Sequence, residues 1–419
     1  MKIILRILLA LTISLSIIVL QRSANLAERI SISGDRLNPL PPISQALKDK
    51  TYPIDDGFID RTGIIVLKLP PNTGSPHEFS EGLAAISMPN LSDDSNSSLG
   101  YIDRTGKIVI SPRFTDRSEL EGANNFSEGL AAFNSSANVD SQGRYLYGYI
   151  DRSGKVVIPA RFAKAGSFVD GRAFVEIFTK DSVRFAFIDK QGKIIFEHLE
   201  AYEVYSFSEG LAAVRIDEKW GFIDRTGKFI IPPQFVNIPM YSGFREGLAP
   251  VRTWDKIKCK YGYGFIDRTG KFIIEPKFQD ARVFAEGLAA VSIIEDNQLK
   301  WGYIDRRGKS VIQPQFVETT FGVQDFHEGL ASVNIPDPES VNGKSGYIDR
   351  TGNFIIPPQF TQGTQSFNGG LTWVETDLKP MNLQQFNNVM SGGSSPSSSG
   401  IKRGYIDRTG KFVWSKTDK

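Results

Sequence analysis

The sequence predicts an all-β protein built from tandem β-hairpins, and three observations carry this prediction. A phrase of the type GFIDRTGKFII recurs nine times, a second phrase of the type FSEGLAAV recurs eight times between these copies, and no segment of the array shows a sustained helical period. Repeats of about forty residues with about three strands each bury a core only by stacking on their neighbours. We therefore predict one continuous array over residues 56–414. The nine acidic anchors of the first phrase are Asp60, Asp103, Asp151, Asp189, Asp224, Asp267, Asp305, Asp349 and Asp407.

The Asp-Arg-Thr-Gly core of the first phrase fits a type I turn closed by a glycine bulge. Aspartate at the first position accepts hydrogen bonds from the backbone that follows, and glycine at the fourth takes a positive φ. The flanking residues are rich in aromatic and β-branched types, which favour strands. We predict a structural role in turns for Asp224, Gly227, Asp267, Gly270, Asp305 and Gly308.

Two architectures fit this pattern, an open β-solenoid-like array and a closed β-propeller. The hairpin supplies two strands of each unit, and the FSEGLA phrase supplies a third whose small alanines let a neighbouring layer approach closely. Nine hairpins alternate with only eight FSEGLA phrases, so the array begins and ends on a hairpin. Because a ring of identical blades would contain equal numbers of both, we favour the open array and keep the propeller as the alternative.

The N-terminal residues 1–24 resemble an export signal. Lys2 and Arg6 precede an uncharged apolar run from Ile7 to Leu20, which is shorter than the about 20 residues of a full membrane span. We expect a signal peptide, or an uncleaved membrane anchor through residues 3–20, and hence a periplasmic, extracellular or outward-facing membrane-anchored protein. Residues 25–55 are expected to form a proline-containing linker, and residues 391–400 a flexible loop within the array.

Composition argues against several classes of function. The 49 basic and 47 acidic residues are interspersed, so the basic footprint of a nucleic-acid-binding protein is missing. Cys259 is the single cysteine, and three scattered histidines do not suggest a metal cluster. Each turn aspartate has a basic neighbour, which disfavours bound calcium. We predict no nucleic-acid partner, no metal and no cofactor.

Two copies of the repeat carry a resemblance to a known family. Residues 218–235 read EKWGFIDRTGKFIIPPQF and residues 299–316 read LKWGYIDRRGKSVIQPQF, each followed by a phrase of the F-x-E-G-L-A type. In these features the chain resembles the bacterial WG-repeat proteins, although the Trp-Gly pair itself survives only at Trp220 and Trp301. The resemblance implies a β-rich repeat module that mediates interactions, and it implies no catalytic residues.

We therefore expect a non-enzymatic scaffold that binds a protein or an envelope polysaccharide. Trp220, Trp301, Tyr303 and Tyr347 are the candidate recognition surface, because Trp and Tyr combine a large apolar ring with a polar group. One alternative is a carbohydrate-binding or cell-wall-binding module. A second is a hydrolase hidden in a degenerate repeat, such as the copy that contains Glu197 and His198.

A hydrolytic pair made of a turn aspartate and an FSEGLA glutamate, such as Asp224 and Glu209, is disfavoured. Nine equivalent turns do not offer the one unlike environment that an active site needs. No nucleophile-elbow, zinc-protease, phosphate-binding or dinucleotide-binding phrase occurs in the sequence.

Overall fold

The computed structural model describes residues 50–419 apart from 71–72, 91–92, 116–124, 181, 199–200, 241, 256–259, 318, 320–321, 338–339, 362–363, 378–399 and 419. Residues 1–24, nearly all of the predicted linker and nearly all of the predicted loop 391–400 lie outside these described residues. The described residues contain no helix that is long and apolar enough to cross a membrane.

The described chain forms nine sequential antiparallel sheets, here sheets 1 to 9, each with three main strands called a, b and c in chain order. The a strands are Tyr52–Ile54, Leu83–Asn90, Leu130–Val139, Ala173–Phe178, Leu211–Ile216, Ala249–Asp255, Leu288–Glu295, Ala331–Asp337 and Thr372–Asp377. The b strands are Gly57–Ile59, Asp93–Asp103, Tyr145–Asp151, Val183–Ile188, Lys219–Asp224, Lys260–Ile266, Gln298–Asp305, Ser340–Ile348 and Ile401–Ile406. The c strands are Ile65–Lys68, Ile108–Thr115, Val156–Phe162, Ile194–His198, Phe229–Phe235, Phe272–Phe278, Ser310–Val317, Phe354–Phe360 and Phe412–Asp418. Short additional strands precede strand a in sheets 4, 5 and 7, at Lys164–Ala165, Ala201–Val204 and Asp280–Ala281.

The prediction of an all-β array of tandem hairpins is confirmed, and no described sheet closes into a barrel. Sheet 1 holds a strand that the sequence did not reveal. Its strand a, Tyr52–Ile54, pairs antiparallel with Gly57–Ile59 although it lies within the predicted linker and lacks the FSEGLA phrase. Each of the nine hairpins therefore has an a strand.

The turns have the geometry that their residues dictate. The Asp224 carboxylate accepts hydrogen bonds from the Thr226 backbone at 2.8 Å, the Thr226 hydroxyl at 2.6 Å and the Lys228 backbone at 3.1 Å, and Gly227 has a φ of 85°. The turns at Asp267 and Gly270 and at Asp305 and Gly308 repeat the backbone pattern. In these turns the aspartate carboxylate therefore accepts hydrogen bonds from residues of its own turn.

The hydrophobic core lies between successive sheets. One cluster joins Trp301, Tyr303 and Ile312 of sheet 7 to Phe326 and Val333 of the following unit. The aromatic residue of strand b packs edge-on against the phenylalanine that opens the next unit's FSEGLA phrase, with ring centroids 4.9–5.0 Å apart. This contact recurs at Tyr101–Phe126, Tyr149–Phe168, Phe222–Phe244, Phe265–Phe284, Tyr303–Phe326 and Tyr347–Phe367.

A ladder of hydrogen bonds also joins neighbouring units at their FSEGLA turns. The Glu209 carboxylate accepts the backbone N–H of Gly247 at 2.9 Å, and the Glu286 carboxylate accepts that of Gly329 at 2.9 Å. Arg306, in the hairpin turn of sheet 7, donates to the carbonyl oxygen of Glu246 in sheet 6 at 2.6 Å. Glu209 and its equivalents thus hold one unit to the next.

Sheet 9 contacts sheet 1, so the two ends of the array meet. The Tyr52 hydroxyl donates to the Gly369 carbonyl at 2.5 Å, and the Tyr405 hydroxyl donates to the Pro53 carbonyl at 3.1 Å. Tyr52 and Tyr405 share a buried cluster with residues of both sheets. Arg61 lies beside Gly370 as Arg306 lies beside Gly247 in the array interior. Contact between the ends is the feature that the propeller alternative requires.

We expect the turns to make the protein sensitive to acid. The hydrogen bond from the Thr226 hydroxyl, with those of the backbone, holds the pKa of Asp224 below its usual value, and Thr269 does the same for the pKa of Asp267. A depressed folded-state pKa stabilises the fold above the unfolded-state value of about 4, and this stabilisation is lost as the pH falls through the folded-state pKa. The urea concentration at the midpoint of unfolding should therefore decrease as the pH is lowered below about 4. The decrease should be less steep in a Thr226→Val, Thr269→Val variant. Equal slopes for the two proteins would contradict this assignment.

Candidate functional site

The four aromatic residues predicted as a recognition surface are buried in the structure. Trp220, Trp301, Tyr303 and Tyr347 are 2%, 5%, 1% and 0% exposed. They lie on middle strands, which have a strand on each side, and the Tyr303 and Tyr347 hydroxyls donate to backbone carbonyls at 2.8 Å. The expected exposed row is therefore corrected: these residues build the core. Trp301 also borders a cavity.

That cavity, the inter-repeat cavity, has a volume of about 880 Å³. It is lined by residues at and just before the FSEGLA phrases of sheets 5 to 8, and by Tyr263 and Trp301. The residues near these phrases are 203, 205–208, 237–240, 242–243, 245, 280–283 and 325. Four successive units therefore contribute to one concave surface, which is a common setting for a ligand site.

Local pairing sets the charges of the cavity wall. In sheets 4, 5 and 7 the segment before the FSEGLA phrase runs along strand a, so that a polar residue of the segment faces a fixed residue of the strand. Glu203 faces Arg215, with 3.4 Å between their charged groups, and the equivalent Lys164 and Glu176 of sheet 4 also form an ion pair. In sheet 7 the residue at the same position, Asp280, faces Ser292 and so lacks the cation across the strand.

Asp280 and Asp325 are the two strongly desolvated carboxyl groups of the cavity. Burial raises the pKa of Asp280, opposed by the backbone N–H of Ala281 at 2.8 Å and by nearby arginines. Burial also raises the pKa of Asp325, opposed by Arg282, Arg245 and His327. In the described part of the chain, Asp325 Oδ1 and Arg282 Nε are buried without a hydrogen-bond partner, and neither carboxylate forms an ion pair. The cavity lining thus contains two carboxylates and a guanidinium that are not paired with each other.

Tyr263 adds a neutral polar group to the wall. Its hydroxyl accepts a hydrogen bond from Asn237 Nδ2 at 3.1 Å. Burial, followed by the charge of Asp280, raises the pKa of Tyr263, so the phenol keeps its proton at neutral pH. No group of three or more metal-ligating side chains occurs among the described residues.

Sequence reasoning missed Asp280, Arg282 and Asp325 because they lie in the variable segment between the Pro-x-Phe and FSEGLA phrases. The available signal was that Arg282 in FQDARVF and Asp325 in FGVQDF are charged where the sibling FAKAGSF has Gly166 and Ser167. That signal does not identify a cavity, because it does not show that segments about forty residues apart converge.

Asp325→Asn should stabilise the protein at neutral pH. Asparagine keeps the shape of the side chain and removes a charge that burial disfavours, so we expect the free energy of unfolding to rise by about 1 kcal/mol. A raised folded-state pKa means that the cost of the charge is present above that pKa and disappears as the pH falls to about 4. Urea unfolding at pH 7 and pH 4 checks both expectations. Glu275→Gln, on an exposed carboxylate, is the control, and a less stable Asp325→Asn protein at pH 7 would show that the arginine contacts outweigh burial.

Comparison with known proteins identifies one family. A sequence profile described as WG containing repeat matches residues 100–135, 147–177, 185–220, 220–256, 263–293, 301–335 and 346–377, more than half of the chain. No curated protein matches the chain.

Several solved structures are similar to this chain at low sequence identity. A eukaryotic initiation factor matches at 13% identity over 76% of this chain and 82% of that chain, with a TM-score of 0.49. The β-propeller domain of the Trilobed protease from Pyrococcus furiosus matches at 11% identity over 73% and 97%, with a TM-score of 0.34. Dipeptidyl peptidase 4 from Porphyromonas gingivalis matches at 11% identity over 65% and 53%, with a TM-score of 0.41. No conclusion about function follows from similarities at this level.

Proposed function

The chain belongs to the WG containing repeat family, and we propose that it is a non-catalytic binding scaffold whose ligand site is the inter-repeat cavity. The observation that carries the proposal is the contrast between the carboxylates of that cavity and those of the repeat turns. The turn aspartates and FSEGLA glutamates use their carboxylates to hold the fold, whereas Asp280 and Asp325 line the cavity and form no ion pair within the described residues. Desolvated charges without a close partner are costly, so their retention in a cavity supports a ligand that interacts with them.

The partner we propose is a component of the cell envelope, either a protein or a polysaccharide. The N-terminal apolar run supports export, with residues 3–20 as a tether if the segment is not removed. The array would then be presented on the outer side of the membrane, in the periplasm or outside the cell. Several units contribute to the cavity, so residues of several repeats, and not of a single repeat, would bind the ligand.

Hydrolysis of a glycan is a second candidate function, favoured by one observation. Two desolvated carboxyl groups with a raised pKa, Asp280 and Asp325, line the same cavity. Glycoside hydrolases use one carboxylic acid as proton donor and a second carboxylate as base or nucleophile. Release of new reducing ends from an oligosaccharide, abolished in Asp280→Asn and Asp325→Asn, would establish this activity.

Co-sedimentation with envelopes tests the binding proposal. The full-length protein, Arg282→Ala and Asp325→Asn variants and the Glu275→Gln control are mixed with delipidated envelopes, so that a membrane tether does not contribute. Parallel samples use envelopes treated with protease or with glycan-degrading enzymes.

We expect the wild type and the control to sediment together and the two cavity variants to bind at least about ten-fold more weakly, as for the loss of a charged hydrogen bond. Loss of sedimentation after protease treatment of the envelopes would identify a protein partner. Loss of sedimentation after glycan removal would identify a polysaccharide. Equal sedimentation of all four proteins would remove the cavity from the proposal, and no sedimentation of any of them would refute envelope binding.

A further inference from the structure

We infer that the inter-repeat cavity takes a neutral oligosaccharide, held through Asp280, Arg282 and Asp325. This inference rests on the proposed function, because it names the chemical class of ligand for the same site. It depends on three features of the cavity, namely its unused hydrogen-bonding groups, its balance of charge and its shape.

The unused groups of the cavity include both acceptors and donors. The carboxylates of Asp280 and Asp325 and the guanidinium of Arg282 line the cavity, and neither carboxylate forms an ion pair within the described residues. No ion pair within the described part of the chain joins Arg282 to Asp280 or Asp325, although its charge acts on both. A sugar hydroxyl donates one hydrogen bond and accepts others, so adjacent hydroxyls of one ring can satisfy a carboxylate and a guanidinium together.

The charges of the cavity wall nearly cancel, which favours a neutral ligand. The lining contains Asp280 and Asp325 together with Arg282 and Arg245, and its remaining acid, Glu203, forms an ion pair with Arg215, which does not line the cavity. An anionic ligand drawn to Arg282 would meet the two carboxylates on which the charge of Arg282 acts. A cationic ligand drawn to a carboxylate would meet Arg282. Like charges brought together in a partly desolvated site cost free energy, so either charged ligand is disfavoured.

The shape and surface of the cavity also match a glycan. Its volume of about 880 Å³ lies within the range of about 300 to 1,000 Å³ that is usual for ligand pockets. The lining also contains the apolar residues Pro239 and Met240, and Met240 is 72% exposed. A sugar ring has an apolar C–H face and a rim of hydroxyls, so it can lie against these residues while its rim reaches the charged groups of the lining.

Isothermal titration calorimetry, which measures the affinity of the full-length protein for each probe, tests the inference. The probes are trisaccharides of glucose and of N-acetylglucosamine as neutral ligands, a galacturonic acid trimer as the anionic ligand and a glucosamine trimer as the cationic ligand. A short envelope-type peptide, with one amine and one carboxylate, represents the alternative class of partner. The proteins are wild type, Asp280→Asn, Arg282→Ala and Asp325→Asn, with Glu275→Gln as the matched control and circular dichroism as the check on folding.

We expect at least one neutral trisaccharide to bind, with an affinity that changes less than about two-fold between low and high salt because no net charge is neutralised. Each cavity variant should weaken this binding at least about ten-fold, and Glu275→Gln should not change it. Binding restricted to a charged trimer or to the peptide would overturn the inference. Absence of saccharide binding, in a protein that still sediments with envelopes, would overturn the inference and leave the proposed function standing, whereas failure of both assays would refute both.

Discussion

Gly302→Ala is expected to lower the free energy of unfolding of the surrounding units by about 3 kcal/mol or more, the upper part of the range for overpacking a core. A Cβ atom at Gly302 would lie 2.5 Å from the carbonyl oxygen of Ile312 and 2.7 Å from the backbone nitrogen of Pro314. Both atoms belong to the backbone of strand c, so no side chain can rotate to relieve the clash. The substitution adds only one methyl group, but its effect on the free energy of unfolding is large because strand c must move.

Strand pairing explains why the backbone comes so close at this position. In sheet 7, Trp301 pairs with Phe316 and Tyr303 pairs with Ile312, so two steps along strand b correspond to four along strand c. The extra residues, which include Pro314, bulge over Gly302. The glycine of the Trp-Gly pair is therefore required by the proline-containing bulge of the next strand.

Sheet 4 supplies a natural control, because Ala186 occupies the equivalent glycine position there. Phe185 pairs with His198 and Phe187 pairs with Phe196, so the register is regular and no bulge covers Ala186. We expect Ala186→Gly to destabilise the protein by about 1–2 kcal/mol, through backbone entropy and the loss of one buried methyl group. Urea unfolding of both variants is the measurement. Equal effects at the two sites would show that the bulge does not impose the glycine.

The hairpins could be predicted from sequence because their turn residues act locally. Asp224 needs only the next four residues to form its hydrogen bonds, and Gly227 needs only its own positive φ. The strand at Tyr52–Ile54 could not be predicted in this way, since its letters lack the phrase that marks its siblings. It is a strand because Gly57–Ile59 pairs with it.

The aromatic residues show a different limit of sequence reasoning. Trp and Tyr suit both a core and a half-exposed binding surface, so residue type alone does not distinguish the two settings. Burial of Tyr347 is decided by the next unit, where Phe367 packs on its ring. The cavity has the same limitation, because Asp280 and Asp325 are brought together by stacking of units and not by any spacing within one repeat.

Tyr52→Ala is expected to destabilise both ends of the array, with a loss of about 3–5 kcal/mol, as for other buried aromatic residues truncated to alanine. The Tyr52 side chain is 2% exposed, and its ring lies 5.3 Å from that of Tyr405, centroid to centroid. Removing it leaves a cavity in the cluster shared by sheets 1 and 9 and breaks the hydrogen bond to Gly369. Tyr52→Phe, which removes only the hydroxyl, should cost about 1 kcal/mol.

Hydrogen exchange separates a local effect of Tyr52→Ala from an effect on the contact between the ends. In an array with independent ends, truncation in sheet 1 would speed exchange only in sheet 1 and its neighbour, because coupling passes between adjacent units. The observed contact makes sheet 9 a direct neighbour of sheet 1, in addition to sheet 2. Amides of Thr372–Asp377 and Ile401–Ile406 should therefore also lose protection. Ile65→Ala, on a side chain in sheet 1 that is 49% exposed, should leave them unchanged. Unaltered protection of sheet 9 in Tyr52→Ala would mean that the ends do not stabilise each other in solution. Increased exchange in sheet 9 would mean that the last unit depends on the first, as each interior unit depends on the next.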